Sequence, residues 1–194
     1  MIIKYNQDSK IIFAISAVTS FLSMMAFPTM QKYIVTELPA SYIAIEQIGI
    51  TVSLIVLCQL WNNDAFRAWS LKMFRKVYIS EIASGFVLYA YSVLFGINAW
   101  VIAIGRLILF SMITVWLSRM IIAFESMLFS GKDREEYDNN YQLVCSVSAL
   151  LGSSAALMIE PDIETSLFLW ALSLIGNAGW LVLYKRLNKR IKEE

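Results

Sequence analysis

Histidine is absent from this 194-residue sequence, and cysteine and proline are scarce, with 2 and 3 copies. Without histidine there is no imidazole to ligate zinc or relay protons near neutral pH. Cys58 and Cys145 both lie inside apolar segments and outside any metal-ligand spacing, so neither a disulfide framework nor a bound metal is expected, and no cofactor is implied. Charge is sparse as well. Only 16% of residues are charged, against about a quarter in a typical soluble domain, and the net charge of +1 offers no global attraction for nucleic acid or acidic partners. An intramembrane enzyme finds no support either: there is no histidine pair, no Gly-x-Ser-x-Gly and no pair of aspartates at one depth.

What the sequence has in excess is apolar surface, with 58% hydrophobic residues and a mean hydropathy of +0.62. A helix needs ~20 apolar residues to cross a hydrocarbon core of about 30 Å. Six stretches meet that test, over residues 11–33, 42–61, 77–95, 98–125, 141–159 and 166–184. The expected fold is therefore all-α, a single six-span membrane domain occupying residues 1–194. Pro28 is expected to kink the first span, and the polar start MIIKYNQDSK followed by a long apolar run reads as a retained signal anchor. Two charged stretches, NNDAFRAWSLKMFRK and SGKDREEYDNN, read as loops, whereas Gly96, Ile97 and Asn98 form a connection so short that its flanking spans must be antiparallel neighbours.

Orientation follows from the bases. Lys4 and Lys10, then Arg67, Lys72, Arg75 and Lys76, then Lys132 and Arg134, and the five bases between Lys185 and Lys192 all fall on one side of a six-span layout. Only Lys32, Arg106 and Arg119 of the 16 are left elsewhere. By the positive-inside rule both termini are expected in the cytoplasm, as in a multi-pass protein of a bacterial inner membrane.

Arg106 stands out because a charge at membrane depth must face protein or water. At ~1.5 Å per residue it lies about 12 Å from Asn98, near mid-membrane. By the same count Glu46 lies only about 6 Å from Tyr42, at the outer edge, so no carboxylate is expected at the level of Arg106. Glu81 and Arg119 come out at the inner edge and are expected to form a structural ion pair. Asn177, Tyr89, Ser20 and Ser23 are the polar side chains expected near Arg106, and with it they make the candidate substrate-binding set. Two readings stand for Arg106: a contact for an anionic cargo, or a structural residue bonded to backbone carbonyls and amides. Ser148, Gly152 and Ala156, at four-residue spacing, form a small-residue face for close helix packing. The aromatic residues near span ends read as interfacial belts and the methionines as packing filler, with Met24 and Met25 alone hinting at a soft-metal contact.

The order of spans and loops, with a charged loop after the second span, GRLI with its arginine in the fourth and the Gly/Ser-rich SVSALLGSSAA in the fifth, resembles one six-helix half of a major facilitator superfamily transporter. The loop motif is represented only by Asp64, Arg67, Arg75 and Lys76, without the glycines. The resemblance implies two inverted three-helix repeats, here residues 11–95 and 98–184, and a missing second half supplied by a homodimer or another six-helix membrane protein. It implies a transporter or exporter of a small-molecule or peptide cargo within the lipid bilayer. The alternative is a non-transporting accessory or immunity protein acting against a membrane-active peptide.

Overall fold

The computed structural model describes residues 7–128, 132–176 and 181, and among them the backbone is all-helical, with no strand. α1 (Gln7–Glu37) continues through Pro28 without ending. α2 (Ser41–Trp61) follows after a three-residue turn, and α3 (Asp64–Phe95) begins only two residues beyond it. α4 (Ala99–Ile108) passes into a π-helical segment, Leu109–Thr114, and then α5 (Val115–Leu128), so helical backbone runs from residue 99 to residue 128. α6 (Lys132–Ile159) and α7 (Ile163–Gly176) complete the described order.

Among the described residues, four helices are long and apolar enough to cross a membrane: Lys10–Glu37, Ser41–Trp61, Asp64–Phe95 and Arg134–Ile159. Ala99–Ile108 and Ile163–Ile175 are shorter apolar helices. Only 11% of the most apolar window of Ser41–Trp61 is buried. Most of its isoleucines, valines and leucines therefore point outward, Leu57 being buried, the reverse of a soluble core and the arrangement that lipid favours. These features fit a membrane protein.

Both charged stretches expected as loops are largely helical. The Asn63 carboxamide oxygen caps α3 by accepting from the amides of Ala65 at 2.9 Å and Phe66 at 3.1 Å. The helix that follows buries Ser70, Phe74, Tyr78, Glu81, Gly85, Leu88 and Ser92. Their spacing of three or four residues makes one continuous stripe, so the basic residues at its start occupy the outer face of a helix. Glu81 consequently sits near the middle of a 32-residue helix rather than one turn from its end. In the same way Lys132 to Asn140 form the first turns of α6, with Arg134 and Asp138 paired at 3.7 Å one turn apart. Hydropathy registers the charges of such a segment and misses its period.

The short connection is present as expected. Gly96 adopts φ +89, a left-handed conformation open to glycine, and the Asn98 side chain accepts from the amides of Trp100 at 3.0 Å and Val101 at 3.3 Å to start α4. Asp162 does the same for α7, its carboxylate accepting from the Thr165 amide at 2.7 Å. This bond to the Thr165 backbone, aided by the Thr165 hydroxyl, holds the Asp162 carboxyl below its ordinary value of 3.8. A depressed value means that the cap stabilises the fold above the ordinary carboxylate range and is lost as pH falls through the folded-state value. Asp162→Ala is thus expected to lower the unfolding temperature at neutral pH, with the gap from wild type closing in acid. Thermal melts across that range check it.

The chain forms two compact units, Met1–Pro28 with Phe124–Glu194, and Thr29–Ala123. Their boundaries fall within α1 and α5. In the first unit, Gly152 of α6 lies directly against the Phe21 carbonyl of α1. Phe13 stacks on Tyr137 at 5.5 Å, and the Tyr137 hydroxyl donates to Glu125 at 3.1 Å. In the second unit the π segment packs against α2, α3 and α4.

Candidate functional site

The second unit holds a ladder of contacts between α2 and α4. Tyr42 and Glu46 are one turn apart on α2, and both are buried. Ala103 and Arg106 are nearly one turn apart on α4, and both are buried. The Tyr42 ring meets Trp100 edge-on with centroids 6.4 Å apart, and its hydroxyl donates to the Ala103 carbonyl. One turn further in, Arg106 Nη2 lies 3.3 Å from Glu46 Oε1, with the two side chains 4% and 6% exposed. Arg106 Nη1 donates to Gln31 Oε1 of α1 at 3.3 Å. Three helices therefore converge on one guanidinium, whose planar set of donors suits several acceptors at once.

This pairing corrects the expectation that Arg106 has no carboxylate at its level. Counted from the helix starts, Glu46 is about 7.5 Å along α2 and Arg106 about 10.5 Å along α4. A difference of one turn or less is well within the reach of two long side chains. A count along Cα positions leaves out the side chains, and the sequence carries no signal for Gln31 as the second partner.

Beyond Arg106 the helix changes register. The π segment brings Thr114 to α3, where its hydroxyl donates to Glu81 Oε1 at 2.9 Å. Glu81 is 2% exposed. Arg119 does not pair with Glu81 as expected. Its Nη2 engages Cys58 Sγ of α2 at 2.7 Å, and the ion pairs among the described residues are Arg67–Asp64, Arg106–Glu46 and Arg134–Asp138. The physical reason is position: Glu81 of α3 lies against Thr114, while Arg119, more than a turn past Thr114, reaches α2 at Cys58.

Ser20 and Ser23 line a cleft of about 340 Å³ in the first unit, with Thr19, Met24, Cys145 and Ser146. Tyr89 is half-buried on α3, and Asn177 lies outside the described residues. Gly152 and Ala156 of the small-residue face are buried, and Ser148 is half-buried. Near the junction of α2 and α3, Phe66, Trp69 and Trp116 form a stacked cluster, Trp69 and Trp116 having centroids 5.5 Å apart. It borders an apolar groove of about 530 Å³ along Val52, Val56 and Leu60.

No protein-family model, curated protein or solved structure matches the chain. The site is a buried, internally neutralised ion pair tying three helices of a protein whose apolar helices fit a membrane.

Proposed function

We propose that the chain is a six-span membrane protein with cytoplasmic termini, and that it works as a half-size transport unit for a small solute, paired with a second copy or a partner subunit. The observation that carries this reading is the buried Arg106–Glu46 pair, with half-buried Gln31 on the same guanidinium. Ionisable groups within apolar helices are expensive to keep and are characteristic of solute and ion paths. Because Glu46 neutralises Arg106, the mechanism is one of exchange. An anionic group on the solute competes with Glu46 for the guanidinium, and breaking that pair releases α2 from α4. Counterflow of a broad solute panel in vesicles containing the purified protein tests the reading. Flux that disappears in Arg106→Gln and in Glu46→Gln supports it; flux unchanged by both removes the pair from the mechanism.

A second reading has an observation of its own. A cation paired with a carboxylate and an amide of the same chain serves equally as a strut, which suits a non-transporting accessory or immunity protein. Absence of flux for the whole panel, together with raised sensitivity of a deletion strain to a membrane-active peptide, supports that reading over the first.

A further inference from the structure

Glu81 belongs to neither reading. It lies in the middle of α3 on the buried stripe and is 2% exposed. One carboxyl oxygen takes a single hydrogen bond, from Thr114 at 2.9 Å, and the other, Oε2, has no partner among the described residues. The charged and titratable groups on the surrounding elements are all occupied or turned away. On α2, Glu46 is held by Arg106 and Cys58 by Arg119. On α5, Arg119 is spent on that same sulfur. On α3 itself, Lys72, Arg75 and Lys76 are exposed, while Tyr78, one turn earlier, is a buried phenol that brings no positive charge. No cation lies within ion-pairing distance of Glu81 among the described residues.

An ionised carboxylate in such a place would have one donor and no counter-charge, and an isolated buried charge is far costlier than an isolated buried carbonyl. The neutral acid has a simpler solution. A hydroxyl serves as donor or acceptor, so Thr114 can donate to the carboxylate or accept from the carboxylic acid without moving. Protonation of Oε1 then leaves only a carbonyl oxygen unbonded. The backbone that presents Thr114 is the π segment, a register change that is rare in helices and concentrated at functional sites.

We propose that Glu81 and Thr114 form a proton-binding site, in which the Thr114 hydroxyl donates to Oε1 when Glu81 is ionised and turns to accept from it when Glu81 takes up a proton. The ligand is a proton rather than a metal cation, because one carboxyl and one hydroxyl supply too few oxygens for sodium or a divalent ion, and no group of acidic, cysteine or histidine side chains among the described residues could hold a metal. The site stands on its own geometry, whether or not the chain moves a solute.

The test uses the full-length protein in lipid nanodiscs, read in two ways. Dicyclohexylcarbodiimide attacks protonated carboxyls in apolar surroundings, and mass spectrometry locates the adduct. Wild type is expected to be labelled at Glu81 at neutral pH, with labelling falling about tenfold per pH unit once the group ionises. Glu46→Gln keeps the label and Glu81→Gln loses it. Infrared spectroscopy of the same samples is expected to show a carboxylic-acid carbonyl band at neutral pH that is missing in Glu81→Gln and shifted in Thr114→Val, in which the hydroxyl is replaced by a methyl group of the same shape. A spectrum with no acid band sensitive to Glu81→Gln would overturn the proposal, whatever the labelling. Protection of Glu81 by sodium at constant pH would overturn it in favour of a metal cation.

Discussion

Glu46→Ala is expected to destabilise the folded protein by about 3–5 kcal/mol, the scale for breaking a buried ion pair from one side. That is a large share of the roughly 5–15 kcal/mol that holds a typical domain together. Arg106→Ala is expected to do less harm. The difference lies in what each deletion leaves behind: a lone carboxyl in an apolar site can neutralise itself by taking up a proton, whereas a lone guanidinium stays charged. With Glu46 gone, Gln31 still accepts from Nη1 but supplies no charge. Replacing both partners with Leu is expected to recover much of the loss, since apolar pairs of similar volume often match buried ion pairs in stability. Denaturation in mild detergent, with helicity as the signal, checks the order Glu46→Ala below Arg106→Ala below the double variant.

The second large effect is expected at Gly152. A Cβ there would overlap the backbone carbonyl oxygen of Phe21 and lie 3.0 Å from its carbon. Backbone has no rotamer to change, so α1 and α6 must move apart, with a loss of about 1–3 kcal/mol for Gly152→Ala and more for Gly152→Leu. Gly105→Ala is the control. Its added methyl would also meet atoms at 3.0 Å, but they are the terminal carbons of Leu88, which can turn aside. Unfolding midpoints of the two alanine variants are expected to differ clearly, Gly152→Ala being the lower.

Much of the helical layout was readable from hydropathy, because a spanning helix must be apolar along most of its length. α2 and the Gly96–Asn98 connection sit close to their expected places for that reason. The starts of α3 and α6 were hidden by the same logic. Asn63 followed by Phe66, Ser70, Phe74 and Tyr78 is a capped helix with a buried stripe, and its bases mask that period in a window average. Arg106 was conspicuous as a cation in an apolar run, but its partner was not, because counting depth along helix axes ignores the reach of the two side chains. The π segment had no signal of its own in LFSMIT: register changes arise from tertiary packing, here against α2 and α3, and local sequence does not encode them. Thr114 and its bond to Glu81 were missed with it.

Arg106 and Glu46 form one buried unit. A thermodynamic cycle over Glu46→Gln, Arg106→Gln and the double variant, measured in one lipid composition, tests it most directly. Coupling between 0.5 and 3 kcal/mol, roughly the range for residues in contact, is the predicted result, and losses that simply add to within about 0.3–0.5 kcal/mol would contradict it.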